Sequence, residues 1–364
     1  MSSSYNGSFE PCEDLDSQQI ISTIIIVISS VIGIVLNLIL IAVVLSTACH
    51  GSPSRQFQTV MILSISFSDL AYLICAPVHD LSTTFGHSIV GSIQMCRTFA
   101  FILILTQGVS SLSLLLLSFD RYRAILKPIQ HRQWQQKRRY ALATVFIWIT
   151  SVIMTIPQLT ISRIYVNSPC GDGLEIANCD HIMFDQFTKV YYTVQVVLFY
   201  VLPLCFITFC YSKIAYKLRQ SPQFEVNESQ AKATRQRCKL SVALIVISIS
   251  FGICWFPLMF SKLTMQYHFE QVFTKFDLNK WAVFIQICPI FVYFNCSLDP
   301  IIIFTLSRQY RIAFRKPLRS WQKLSKTLSM QRKSTYVTET VVMDTVHTNY
   351  PEKRSLVIKM ESLK

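Results

Sequence analysis

Seven stretches of the chain are almost continuously apolar: residues 20–45, 59–79, 98–119, 140–162, 190–212, 240–261 and 281–306. Crossing the hydrocarbon of a bilayer takes about 20 helical residues, and each stretch is long enough. Five of them contain no Asp, Glu, Lys or Arg. In lipid every backbone N–H and C=O must find its partner inside the structure, which a helix provides by itself. The pattern predicts an all-α membrane protein, a bundle of seven transmembrane helices. The first stretch is too long for the apolar core of a cleaved signal and follows acidic and polar residues instead of a positive segment, so it is expected to be retained.

After the seventh stretch the period changes. Leu306, Tyr310, Ala313 and Phe314 fall at i, i+4, i+7 and i+8, among Arg308, Arg311, Arg315 and Lys316, and Pro317 closes the run. An apolar stripe framed by positive charge predicts a short amphipathic eighth helix on the inner leaflet of the lipid bilayer. The expected organisation is an extracellular tail over 1–19, the bundle over 20–306 and a cytoplasmic tail over 307–364 that begins with this helix. The remaining tail, rich in Ser, Thr, Lys and Arg, is expected to be disordered.

Composition agrees with this class. With 51% hydrophobic and 15% charged residues and a mean hydropathy of +0.40, the chain is too apolar for a water-soluble enzyme of its length. The net charge of +14 would suggest nucleic acid only if the basic residues gathered on one soluble domain, and they do not. They report topology. With the N-terminus outside, 28 of the 34 Lys and Arg fall on the cytoplasmic side and six on the outer side, as expected when positive short loops stay inside. No internal repeat supports a transporter. The seven His are scattered without metal spacing or a nucleophile nearby, so no enzyme is expected.

Two acids lie inside the apolar stretches, Asp69 and Asp299. Each costs about 3 kcal/mol in hydrocarbon, so each invites a functional explanation. Asn37, Ser110 and Asn295 fall at comparable depth, and the set suggests a hydrated cation-binding pocket. The alternative is that the acids only hydrogen-bond neighbouring helices. Asp120 and Arg121 close the third stretch in SFDRYRAILKP.

The ordered landmarks resemble the rhodopsin-like (class A) G-protein-coupled receptors over about residues 20–316. They are Gly33 to Asn37 in the first stretch, SISFSDL with Asp69 in the second, Asp120-Arg121-Tyr122 ending the third and Trp148 in the fourth. Pro203 and Tyr211 mark the fifth, FGICWFP from Phe251 to Pro257 the sixth, and Asn295 with Asp299-Pro300 the seventh. The resemblance implies a receptor that activates heterotrimeric G proteins, with arrestin and receptor kinases acting on the Ser/Thr-rich tail. It implies hinges at Pro203, Pro257 and Pro300 and a Trp255 ring that shifts Phe251. It also implies an Arg121 that pairs with Asp120 at rest and turns to the G protein on activation. Asp69, Ser110, Asn295 and Asp299 are then the candidate site for a sodium ion, with no other cofactor expected.

Two positions depart from the family pattern. Ile303 stands where the family has the seventh-helix Tyr that meets Tyr211 in the active state, and Ser111 where the third helix usually has Ile or Val. They raise the alternative of a seven-helix binding or scavenging protein with weak coupling. No Cys follows Cys296, so the palmitoyl anchor common beyond the eighth helix is not expected.

The family pairs the position of Cys96 with a cysteine of the second outer loop, where Cys170 and Cys179 are both available. The spacing of Cys179 from Pro203 resembles the family's usual one and favours it. Cys12 and Cys170 could form a second bridge or remain thiols. Asn6-Gly7-Ser8 is an acceptor sequon on the outer tail.

The ligand is narrowed by what is missing. Amine receptors carry an Asp where this chain has Leu103, and opsins carry a Lys where it has Tyr293. What remains resembles peptide receptors most, with weak similarity to the bombesin and endothelin groups. Eleven outer acids against six outer bases suggest a peptide with a positive charge. Asp80 is its expected partner, with Gln107, Tyr192, Gln195, Lys262 and Tyr293 as further lining. Lys262 could instead hold a ligand carboxylate.

Overall fold

A computed structural model describes residues 17–48, 53–85, 92–134, 137–170, 174–181, 185–220, 228–268, 278–307 and 310–314. In chain order its elements are α1 (Ser17–Ala48), α2 (Pro53–Phe85), α3 (Ile93–Leu126), α4 (Pro128–Trp134), α5 (Lys137–Thr155) and α6 (Gln158–Ile161). There follow β1 (Ser162–Cys170), β2 (Leu174–His181), α7 (Gln186–Val196), a π turn (Val197–Val201), α8 (Leu202–Gln220), α9 (Glu228–Tyr267) and α10 (Leu278–Leu306). Among the described residues there are seven helical spans long and apolar enough to cross a membrane, each overlapping one of the expected stretches. The fourth is built from α5 and α6, the fifth from α7, the π turn and α8.

Local chemistry sets the element ends. Ser92 caps α3, its hydroxyl accepting from the Met95 N–H at 3.3 Å. Lys127 ends that helix, and Pro128 restarts the chain as α4 at a position where its missing N–H costs nothing. Pro203 cannot donate to the carbonyl of Phe199, four residues earlier. The wide turn at Val197–Val201 falls just there and relieves the broken ladder. It also turns Phe199 onto α3. A Cβ on Gly108 would stand 2.8 Å from the Phe199 ring, so the buried Phe199 needs glycine opposite it.

The third span is central. It packs against α2, α5, α8 and α9 and buries residues on all sides, among them Gln107, Ser110, Ser111, Ser113, Ser118, Asp120 and Arg121. Small hydroxyls suit this position because they can return their hydrogen to their own helix. Ser118 donates to the Leu114 carbonyl at 2.8 Å and Ser111 to that of Gly108 at 3.2 Å. The first span is tied to the seventh in the same economical way. Asn37 donates to the carbonyls of Gly33 at 3.0 Å and Cys296 at 2.9 Å, and a Cβ on Gly33 would meet Ser297 Oγ at 2.6 Å.

One feature, a pair of strands, was not anticipated in the sequence reading. The second outer loop contains an antiparallel ribbon, β1 against β2, with Ile164 opposite Cys179 and Arg163 opposite Asp180. Hydropathy overlooks it because a two-stranded ribbon buries no face of its own. Trp148, one of the landmarks, is 37% exposed and lies on the surface a bilayer would cover instead of in the bundle core. Residues 310–314 are helical and fall within the segment of the expected eighth helix, the rest of which lies outside the described residues. The chain divides into two units, Met1–Arg311 and Ile312–Lys364, and of the second only 312–314 are described.

Candidate functional site

The expected site residues fall at three depths of the bundle. At the outer end Tyr293 donates from its hydroxyl to Asp80 Oδ2 at 2.8 Å, and His79 Nδ1 lies 3.2 Å from Asp80 Oδ1. Lys262 holds its ammonium over the Tyr192 ring, 5.9 Å from the centroid, and the Tyr192 hydroxyl donates to Gln158 Oε1 at 3.2 Å. Gln195 donates from Nε2 to Gln107 Oε1 at 3.0 Å, and Gln107 donates to the Met259 sulfur at 3.3 Å. Leu103, half-buried, sits one turn outward of Gln107. Six helices thus bring polar groups to one end of the bundle.

Below them lies an aromatic layer. Tyr72 meets Trp255 edge-on at 5.9 Å and Tyr293 at 5.6 Å, and Trp255 lies 5.7 Å from Phe251. A ring displaced at Tyr72 therefore presses on Trp255, and one displaced at Tyr293 does so through Tyr72. Pro257, half-buried in α9, breaks the ladder next to it.

At mid-depth Asp69, Asn295 and Asp299 are all buried. Ser110 donates to Asp69 Oδ1 at 3.4 Å and shares a 2.7 Å hydrogen bond with Ser68. Asp69 Oδ2, Asn295 Oδ1 and Asp299 Oδ1 have no hydrogen-bond partner, and the two carboxylates lie within electrostatic reach of each other. Unpaired hard oxygens around two neighbouring acids are the donor set a small cation requires. Among the described residues no cluster of three or more His, Cys, Asp or Glu offers a site for a transition metal.

At the inner end Arg121 donates to Asp120 Oδ2 at 2.6 Å with both side chains buried. Asp120 also accepts from Gln58 Nε2 at 3.4 Å and from the Tyr140 hydroxyl at 3.5 Å, with His131 Nε2 3.7 Å away. Tyr140 is held by stacking on Phe57 at 4.2 Å. Tyr122 turns away from this pair toward Phe209, 6.2 Å from its ring. The Tyr211 hydroxyl stands 3.3 Å from that of Ser118. Ile303 is buried and offers no hydroxyl, while Pro300 lies inside α10 between Asp299 and Ile303.

On the outer face Cys96 is disulfide-bonded, with its sulfur 3.7 Å from the Arg163 carbonyl. In the ribbon Cys179 is opposite Ile164, the neighbour of Arg163, whereas Cys170 is opposite Leu174 at the far end. Asn6 and Cys12 lie outside the described residues.

Several participants were missed in the sequence. Tyr72 could have been found, since it follows Asp69 by three residues on one helical stripe. Gln58, Tyr140 and His131 carry no such signal. They reach Asp120 from α2, α5 and α4 through packing that no local period encodes.

Comparison with known families returns one finding for this arrangement. Residues 36–303, nearly three quarters of the chain, match the family described as 7 transmembrane receptor (rhodopsin family).

Proposed function

Because the chain belongs to the rhodopsin family of seven-transmembrane receptors, which are G-protein-coupled receptors of the plasma membrane and not enzymes, we propose that it binds an extracellular peptide and activates heterotrimeric G proteins. The observation that carries the coupling half is the Arg121–Asp120 pair, buried and closed at 2.6 Å at the cytoplasmic end. An arginine held that way is available to a partner only after the inner helix ends separate, so it can report a change made at the cavity. The chain of contacts from Tyr293 through Tyr72, Trp255 and Phe251 supplies the route. A peptide ligand is supported by polar groups that several helices bring to the outer end of the bundle, with Leu103 and Tyr293 where amine and retinal receptors carry an Asp and a Lys.

In this reading the N-terminus is outside, which the distribution of Lys and Arg supports, and Asn6 carries glycan. Cys96 pairs with Cys179, which the ribbon register favours over Cys170. Asp69, Ser110, Asn295 and Asp299 hold a sodium ion that stabilises the resting state, and the tail recruits receptor kinases and arrestin.

The test is ligand-free G-protein activation in cells expressing the chain with an epitope tag ahead of Met1, normalised to tag staining on intact cells. Arg121→Ala is expected to reduce activation by tenfold or more at equal surface staining. Equal activation by both proteins refutes the coupling, and a tag reached only after permeabilisation refutes the orientation. The second reading, a binding protein that couples weakly, is favoured by the buried Ile303 and by the Ser118–Tyr211 contact. It predicts no activation above background from the unmodified chain, and Ile303→Tyr is then expected to raise it.

A further inference from the structure

The polar groups at the outer end of the bundle divide into those already engaged and those left open. Asp80, the expected partner of a positively charged ligand, is engaged: one oxygen accepts from Tyr293 and the other lies against His79. Lys262 is open. Its ammonium lies over the face of Tyr192, and the ion pairs among the described residues join His79 to Asp80 and Arg121 and His131 to Asp120. The charge of Asp80 reaches Lys262 but no contact closes between them. An aromatic face offsets part of an ammonium's desolvation; a carboxylate would offset far more.

One turn deeper the amides are also short of a partner. Gln195 Oε1 is buried with nothing bonded to it, and Gln107 spends its N–H on a thioether, a weak acceptor. Reversing both amides does not help, because the oxygen of Gln107 would then face the sulfur of Met259. The two tiers are in register. Met259 and Lys262 are three apart on α9, and Tyr192 and Gln195 three apart on α7, so each pair shares a helical stripe. Lys262 therefore stands about 4.5 Å outward of the amide tier, the rise of three helical residues.

We infer that the ligand's buried end presents a carboxylate to Lys262 and, one turn deeper, an N–H donor to Gln195 Oε1. This deepens the receptor reading and rests on it. An acidic residue of a peptide offers both groups at that spacing, its side-chain carboxylate and a backbone amide. The excess of acids on the outer side still favours basic residues in the part of the ligand that stays at the cavity mouth. The two together describe a peptide of mixed charge that enters acidic end first, and this reverses the charge expected from Asp80.

The inference is tested on full-length receptor in lipid nanodiscs by thermal unfolding with three small probes at equal millimolar concentration. The probes are the α-amide of N-acetylglutamic acid, its neutral isostere N-acetylglutaminamide, and N-acetyllysinamide. The glutamic probe is expected to raise Tm by about 2 °C or more over the other two. The difference should survive Lys262→Arg and vanish in Lys262→Gln, while Gln195→Met weakens the response to the glutamic probe without changing its preference over the isostere. Equal shifts from the glutamic probe and its isostere in the unmodified receptor overturn the assignment. So does a glutamic preference that persists in Lys262→Gln, or a larger shift from the lysine probe. The contrast in the unmodified protein does not depend on any variant folding. Coupling is read separately through Arg121→Ala in cells, so either reading can fail alone.

Discussion

Asp120 and Lys262 are ionisable side chains set into opposite ends of the same helix bundle, and their surroundings differ in kind. Asp120 collects an arginine at 2.6 Å, an amide at 3.4 Å and a phenol at 3.5 Å, and a histidine approaches to 3.7 Å. Lys262 has the face of one ring. A charge that the chain neutralises itself, with several donors from different helices, holds those helices in one arrangement. A charge left without a counter-ion leaves its completion to something that enters. In the proposed function the inner cluster is a latch and the outer one a socket, and the layer Tyr293, Tyr72, Trp255 and Phe251 lies between them.

The largest effect should come from opening the latch. Asp120→Asn removes the charge that holds Arg121 while keeping the side-chain shape. A charge-assisted hydrogen bond is worth about 1.5–3 kcal/mol, and about 1.4 kcal/mol is a factor of ten in an equilibrium. Nucleotide exchange on G protein by ligand-free membranes, normalised to receptor number, is expected to rise about tenfold. No rise at normal surface expression would mean that the pair does not restrain the resting state, and the contrast between the two ends would fail at its stronger side.

Much of this architecture was legible in the chain. Seven spans follow from hydropathy because lipid leaves no other way to satisfy a backbone, and Asp69 and Asp299 stood out because a carboxylate in hydrocarbon needs a reason. Which outer charge is engaged was not legible. Asp80 and Lys262 both read as cavity residues, but Asp80 is claimed by Tyr293, 213 positions away, and only the packing of α2 against α10 reveals it. Trp148 shows the complementary limit: an indole is as much at home against lipid as in a core, so its presence in a span does not say which side it faces. The π turn was implied by Pro203, but its consequence, Phe199 laid on Gly108, depends on which helix lies opposite.

A smaller effect should come from the mid-depth acids, which stand between latch and socket in character. One oxygen of each has no hydrogen-bond partner, as in the socket, but they are buried away from any large ligand. Replacing sodium with N-methyl-D-glucamine should lower the Tm of the purified, ligand-free receptor by about 2–4 °C, and Asp69→Asn should remove that dependence. It should also leave ligand-free exchange indifferent to sodium, where the unmodified receptor is inhibited about two- to fivefold. A Tm insensitive to sodium in the unmodified receptor would reduce the cluster to a structural role.

The smallest effect expected is also the sharpest test of the latch. Tyr140→Phe deletes one oxygen, 3.5 Å from Asp120 Oδ1, and keeps the ring that stacks on Phe57 at 4.2 Å. At that length the hydrogen bond is at the edge of useful geometry, and even a good neutral one contributes only about 0.5–1.5 kcal/mol net. Ligand-free exchange should therefore rise by about twofold or less. In Asp120→Asn the added Tyr140→Phe should change it less still, because the charge that made the contact worth having is already gone. A double variant whose activity is the product of the two single effects would show that Tyr140 acts through its packing and not through Asp120. The latch would then consist of the Arg121–Asp120 pair with Gln58 and His131 beside it, and the difference between the two ends of the bundle would rest on a smaller cage.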